Sequence, residues 1–192
     1  MLIGCIACLV SVSASAVDLE LDEYLQRADA ARARGDWESV ASQVAQAVNH
    51  PDLPKTGEFR SAVLREYGRV MGVLCQYAEA ETYLLRAKEI AEYSSSSTFF
   101  VLYELGAISV VQKKFSAAVG YFSQLTPLIA RESRTKFSAL LIADAYEKYA
   151  TALNATRKSD EADARRRDAG KIRETAPKAA PGTITPYGTR CL

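Results

Sequence analysis

Residues 61–92, SAVLREYGRVMGVLCQYAEAETYLLRAKEIAE, decide the fold because they contain two helical patterns joined by a very short turn. Gly68, Ala80 and Ala87 are 12 and then 7 residues apart, and the aromatic Tyr77 precedes Ala80 by three. Two antiparallel helices can cross closely only where side chains are small, so we expect Gly68 to face Ala80 across the crossing. The stretch therefore predicts a helical hairpin.

The same spacing occurs three more times along the chain. In each set the second residue follows the first by 12 positions, and the third follows the second by 7. The middle residues of the four successive sets are separated by 40, 38 and 44 residues. The three further sets are Ala28, Val40 and Ala47; Gly106, Ala118 and Leu125; and Ala150, Ala162 and Ala169.

This pattern resembles the tetratricopeptide repeat (TPR) family, whose first helix carries a Leu-Gly pair and whose second carries Ala, Phe and Ala. The resemblance covers roughly residues 22–174 and implies an all-α fold, a right-handed α-solenoid of stacked antiparallel helix hairpins. The repeat distances exceed the family's period of about 34, so it implies a long-helix variant with about four degenerate repeats. The matching residues are Tyr67-Gly68 and Leu105-Gly106 in the first helices, and Leu84 and Phe122 in the second.

Composition describes a soluble globular chain that is long enough for one domain or one short array of repeats. Of the 192 residues, 48% are hydrophobic and 24% are charged. The 24 Lys and Arg against 23 Asp and Glu give a net charge of +1, which provides no field to attract nucleic acid. We therefore expect no nucleic-acid partner.

The segment MLIGCIACLVSVSASAV, residues 1–17, carries no charge and ends in small residues. It predicts a secretory signal peptide over residues 1–16, with cleavage after Ala16, and hence export to a bacterial periplasm or cell envelope. Seventeen helical residues reach about 25 Å, short of a hydrocarbon core of about 30 Å, so we expect no integral span in the mature chain. Since no Lys or Arg precedes the apolar core, the true start is expected upstream.

Leu2-Ile3-Gly4-Cys5 is similar to the box that precedes a lipid-modified Cys in bacterial lipoproteins. An apolar run follows Cys5 instead of preceding it, so lipoprotein anchoring is the less favoured interpretation. After the signal peptide, we expect a TPR-like domain over residues 17–175 and a flexible tail over residues 176–192. The tail contains three prolines and two glycines, and Ile184 and Tyr187 are its candidates for docking on the helices.

Further helices are predicted from hydrophobic spacing and from caps. The segment over residues 99–111, FFVLYELGAISVV, contains one charge, Glu104, which predicts a helix buried on all sides. Alternatively Tyr103, Ala107, Val110 and Val111 line an apolar groove, and the sequence leaves both interpretations open. In the next helix, Pro127 is expected to bend the helix or to end it near Thr126. The other predicted helices span about residues 19–34, 37–48, 115–131, 134–154 and 160–174.

No combination of residues supports catalysis. The one His, His50, is in a predicted loop, where we expect it to be solvated and without the partners of a triad or a zinc site. We therefore expect no enzymatic activity, no metal and no cofactor.

The resemblance implies binding, because in TPR arrays the first helix of each hairpin lines the concave surface, where protein segments dock. The implied function is an exported adaptor or scaffold that binds a partner protein or peptide there. The alternative is a self-associating structural subunit of an envelope assembly, joined through the apolar third repeat or incomplete end caps. The residues implied to bind the partner are Arg65, Arg69, Tyr103, Glu147, Thr151 and Asn154.

Cys75 and Cys191 are the cysteines that remain after cleavage at Ala16. In an oxidising envelope such a pair often forms a disulfide, and Cys75 is predicted at a helix turn, within reach of the tail. Against this, a Cys beside a turn is often a small buried residue, and Cys191 is one residue from the end. The sequence leaves the bridge open.

Overall fold

The structure is a computed structural model that describes residues 13–131, 138–176 and 184–191, with side chains from residue 20 onward. Within these ranges it contains eight α-helices and no strand, so the predicted all-α class is confirmed. The helices are α1 (Ser13–Ala33), α2 (Trp37–Asn49), α3 (Glu58–Val73), α4 (Tyr77–Tyr93), α5 (Phe99–Val111), α6 (Phe115–Arg131), α7 (Ala139–Ala155) and α8 (Ser159–Thr175).

Each odd-numbered helix is joined to the next even-numbered one by the same three-residue turn. Its middle residue is left-handed: Gly35, Cys75, Lys113 and Arg157 have φ of 72°, 67°, 58° and 64°. The following amide closes the turn on a carbonyl five residues back, as Gln76 N does on Met71 O at 2.9 Å. The left-handed residues are 40, 38 and 44 apart, the same distances that separate the small residues in the sequence.

The hairpin predicted over residues 61–92 is confirmed as α3 and α4. A Cβ added to Gly68 would lie 2.8 Å from Leu84 Cγ and 2.9 Å from the Ala80 carbonyl oxygen, so any side chain there would force the helices apart. In the next hairpin, a Cβ on Gly106 would lie 2.7 Å from the Phe122 ring. The small residues therefore mark the crossings, as the spacing predicts.

Helix α5 lies at the centre of the packing, because it contacts α3 and α7 as well as its chain neighbours α4 and α6. Ten of its 13 residues are buried, including Tyr103, Glu104 and Ala107, whereas Val110 and Val111 are partly buried. The two largest apolar clusters both contain residues of α5. Burying one large apolar side chain contributes about 1.5–3 kcal/mol, which makes this helix a main source of stability.

The structure matches the predicted bounds of α6, 115–131, and departs from those of α1 and α7. Helix α6 continues through Pro127 to Arg131, so of the two effects expected of Pro127, a bend or an end near Thr126, the end does not occur. Burial of Ile129 and Leu125 on either side of Pro127 offsets the missing amide bond. Helix α1 begins before residue 19 and α7 begins at Ala139, while the predicted start of α7, residues 134–137, lies outside the described residues. So do residues 1–12 of the predicted signal peptide.

Candidate interaction site

The C-terminal segment, residues 184–191, packs against α3 and α5. Thr185 and Tyr187 are only 5% and 9% exposed, although sequence alone favours a flexible tail with Ile184 and Tyr187 as docking candidates. Ile184 is half-buried. The segment forms a turn in which Tyr187 N donates to the Thr185 carbonyl at 2.9 Å. Residues 177–183 of the predicted tail lie outside the described residues.

Glu104 of α5 receives this segment. Its carboxylate is buried and accepts hydrogen bonds from two hydroxyl groups. Tyr187 Oη donates to Oε2 at 2.7 Å, and Thr185 Oγ1 donates to Oε1 at 3.1 Å. Burial raises the pKa of Glu104, and the Arg69 guanidinium opposes that rise, as do the two hydrogen bonds and the charge of Arg65. Burial and the Glu104 carboxylate together raise the pKa of Tyr187 well above its ordinary value, so the phenol keeps its proton and donates.

The Tyr187 ring packs against α3 at Gly72. This position, called here the ring seat, is free only because residue 72 has no side chain. A Cβ at Gly72 would lie 2.5 Å from Tyr187 Cε1 and 3.3 Å from Ile108 Cδ1, so no side chain fits beneath the ring. Gly188, the next residue of the segment, has φ of 77°, and a Cβ on it would be 3.2 Å from Val111 Cγ1. The pocket between α3 and α5 therefore fits a Tyr-Gly turn closely.

The end of the segment is fastened near the α3–α4 turn. A disulfide joins Cys191 to Cys75, with a Cα–Cα distance of 5.7 Å, and Tyr77 Oη lies 2.8 Å from the Cys191 sulfur. Arg190 pairs with Glu38 of α2 at 3.1 Å. Cys75, in the left-handed turn, is only partly buried, so the C-terminal segment can reach its sulfur. The sequence had left open whether this disulfide forms.

A charged network lies beside the pocket, on the α2–α3 side. Arg69 is 8% exposed and donates to Glu66 twice, at 2.9 and 2.7 Å, while its guanidinium lies 5.8 Å from the Trp37 ring. Burial alone would raise the pKa of Glu66, but Arg69 and then Arg32, which also pairs with it, lower the pKa overall. The Arg69 charge is therefore neutralised inside the protein and faces Glu104 from α3.

The six residues implied to bind a partner do not form one exposed surface. Arg69 is buried in the network just described, and Tyr103 is 1% exposed, with its hydroxyl donating to Asp144 at 2.6 Å. Lys148, one turn along α7, also binds Asp144 at 2.6 Å. Because both side chains are enclosed and paired, neither can contact a partner directly in this conformation.

The other four are accessible to different degrees. Arg65 of α3 is half-buried, with its guanidinium 5.2 Å from the Phe100 ring of α5. Glu147 of α7 accepts two hydrogen bonds from Arg173 of α8, at 2.6 and 2.7 Å, which lower its pKa. Thr151 and Asn154, further along α7, are exposed. The accessible set is thus one cation on α3 and a polar row on α7.

Sequence reasoning did not select Glu104 or Gly72 as site residues. A signal was present for Glu104, since a lone carboxylate in an otherwise apolar buried helix requires hydrogen-bond donors. Nothing local pointed to Gly72, whose role depends on a ring supplied 115 residues later. His50, expected in solvent, has a side chain only 6% exposed, packed edge-on to Tyr24 with ring centroids 6.3 Å apart.

Comparison with protein-family models and with curated proteins finds no match to this sequence, so the TPR resemblance remains a prediction. Among the described residues, no helix combines the length and apolarity that crossing a membrane requires. Within the same ranges, no three His, Cys, Asp or Glu side chains are grouped closely enough to hold a metal ion.

Proposed function

We propose that this chain is an exported, TPR-like scaffold, a right-handed α-solenoid of stacked hairpins that binds a partner protein or peptide on the face lined by α3, α5 and α7. Two features support the architecture: the four hairpins share one turn geometry, and α5 contacts the first helix of the hairpin on either side. In a stacked array the first helices of successive hairpins lie side by side, and the α3–α5 and α5–α7 contacts fit that arrangement.

One observation carries the proposal. The α3–α5 part of this face already holds a peptide segment, residues 184–191, through buried side chains of the helices. A face that encloses an irregular segment in this way has the hydrogen-bond acceptors and the shape that peptide recognition needs. The polar row of Thr151 and Asn154 on α7 extends the face beyond the segment and is open to a partner.

Export is proposed from the uncharged N-terminal segment, and the Cys75–Cys191 disulfide supports it, because such bonds persist in oxidising compartments. N-terminal sequencing of the mature protein from a native host is expected to begin at Val17. Recovery of the protein from the cytosol with residues 2–10 intact would contradict export.

Site-specific photo-crosslinking in the native host tests the binding function. A photoreactive residue is placed at Thr151 or Asn154 on α7, and at Gln124, an exposed position on α6, as the matched control. The proposal predicts an adduct with a second protein species from both α7 positions and none from Gln124. Adducts equally frequent at all three positions would contradict it.

Adducts between copies of this chain alone would favour the alternative, a self-associating structural subunit of an envelope assembly. Such association would have to use the array ends or the exposed apolar side chains, among them Phe100 of α5, because most of α5 is covered by its neighbours and by the C-terminal segment. Sedimentation at several concentrations then gives the assembly size.

A further inference from the structure

The C-terminal segment is bound by side-chain chemistry that reads particular residue types. Thr185 and Tyr187 supply hydroxyl groups two residues apart, one for each oxygen of the buried Glu104 carboxylate. Pro186 between them fixes its own φ and favours an extended Thr185. Gly188 provides the positive φ that the turn needs and leaves room beside Val111.

We infer that the pocket between α3 and α5 is a recognition site for a segment of the form hydroxyl-Xaa-Tyr-Gly, and that residues 184–190 are its intramolecular occupant. The segment that would replace residues 184–190 in the pocket belongs to a partner protein and carries the same pattern. This inference rests on the proposed function and assigns the kind of partner that part of the face accepts.

The disulfide restricts exchange of the segment that occupies the pocket. While Cys191 is bonded to Cys75, the segment is tethered beside the pocket, and a tether gives it an effective concentration of about millimolar, which a free segment must exceed. An external dithiol opens the bond by thiol–disulfide exchange: both cysteines become thiols and the reductant becomes a disulfide. The segment is then held in the pocket by its non-covalent contacts and by its main-chain connection at residue 184.

Peptide binding to an emptied pocket tests the inference. The full-length variant Thr185→Val, Tyr187→Ala, Cys191→Ser removes both hydroxyl groups, the ring and the tether. The probe is a fluorescent peptide with the sequence of residues 184–190, ITPYGTR, blocked at both ends. We expect saturable binding to the emptied variant and none to the oxidised wild-type chain.

Altered probes test whether the pocket reads the pattern. A peptide with Phe in place of its Tyr is expected to bind about 10-fold more weakly, because one oxygen of the buried Glu104 loses its donor. Adding Gly72→Ala to the emptied variant should also weaken binding, since the new Cβ occupies the ring seat. Gly120→Ala should leave binding unchanged, because a Cβ added at Gly120 would meet no atom within 4 Å apart from the backbone of its own helix.

The inference is overturned if a cooperatively folded emptied variant does not bind the peptide, or binds the Tyr and Phe forms equally. If that variant does not fold, the titration is made on the chain that carries Tyr187→Ala and Cys191→Ser alone, where the pocket has neither the ring nor the disulfide, and absence of binding to that folded chain again overturns the inference. If this variant also does not fold, and the wild-type chain unfolds on reduction, residues 184–191 are part of the fold and not an occupant. Crosslinks at Thr151 without peptide binding would leave the scaffold function standing, and peptide binding without crosslinks would leave the pocket standing.

Discussion

Gly72→Ala is the substitution whose sign depends most directly on where the C-terminal segment lies. In the interior of a helix, replacing Gly with Ala ordinarily stabilises a protein by about 0.5–1 kcal/mol, because Gly loses more backbone entropy on folding. In this structure the added Cβ would lie 2.5 Å from Tyr187 Cε1, which is closer than two non-bonded carbon atoms can approach. The stabilisation expected from Gly→Ala is therefore opposed by a steric clash between the new Cβ and the Tyr187 ring.

The size of that opposition follows from the packing. Forcing a methyl group into a filled site typically costs about 1–3 kcal/mol, so Gly72→Ala is expected to lower the free energy of unfolding by about 1 kcal/mol. In a Tyr187→Ala background the ring is gone, and the next atom, Ile108 Cδ1 at 3.3 Å, is a side-chain tip that can shift. There the same substitution is expected to stabilise by about 0.5–1 kcal/mol.

Urea unfolding of the four chains of this double-mutant cycle, with the disulfide intact, gives the coupling energy directly. We expect about 1–3 kcal/mol between residues 72 and 187. Gly120→Ala is the control, because its Cβ would meet no atom within 4 Å, and it should stabilise both backgrounds by a similar amount. If Gly72→Ala stabilised the wild-type chain as much as the Tyr187→Ala chain, the assigned seat for Tyr187 would be refuted.

Three further predictions concern the tether, the hairpin crossing and the buried carboxylate. Cys191→Ser opens a loop between residues 116 apart and should lower the free energy of unfolding by up to about 5 kcal/mol in the chain-entropy model, measured in urea without reductant. A dithiol should shift the wild-type midpoint in the same direction and leave that of Cys191→Ser unmoved. Ala80→Leu should cost about 1–3 kcal/mol at the α3–α4 crossing, whereas Ala78→Leu, the same change at an exposed position of α4, should stay within about 0.5 kcal/mol; equal urea midpoints would exclude this crossing. Because folding raises the pKa of Glu104, the stability that this group contributes is complete below its unfolded value of 4.5 and is lost as the pH rises through the folded value. The free energy of unfolding of Glu104→Gln minus that of the wild-type chain should therefore increase with pH above 4.5, and a difference that is flat or falls with pH would contradict the burial assigned to Glu104.

The helices and the hairpin crossings could be predicted from the sequence because they depend on local spacing. Gly68 and Ala80 are on adjacent helices of one hairpin, so a 12-residue interval fixes their meeting once both segments are helical. The turns were harder to read. Only Gly35 among the four left-handed residues is a glycine, and Cys75, Lys113 and Arg157 adopt that conformation because the packed helices on either side require it.

The environment of the residues implied to bind a partner could be predicted only in part. Position along a helix made Arg69 and Tyr103 candidates for contact with a partner, but both are buried and paired, Arg69 with Glu66 and Tyr103 with Asp144 of α7, 41 residues away. Spacing within α3 does place Glu66 three residues from Arg69, but it carries no information about a partner on another helix, such as Asp144. The sequence therefore did not show which of the six side chains are buried.

The sequence by itself determined the all-α class and the helix hairpins, since hydrophobic periodicity and small-residue spacing act over one or two helices, and it left the burial of α5 open. Only the tertiary structure decided the place of residues 184–191. Gly72 and Cys75, at the end of α3 and in the turn after it, and Glu104 of α5 come together around Thr185, Tyr187 and Cys191 only when the hairpins pack. A contact made across about a hundred residues has no periodic signature, because its geometry is set by every crossing between its two ends.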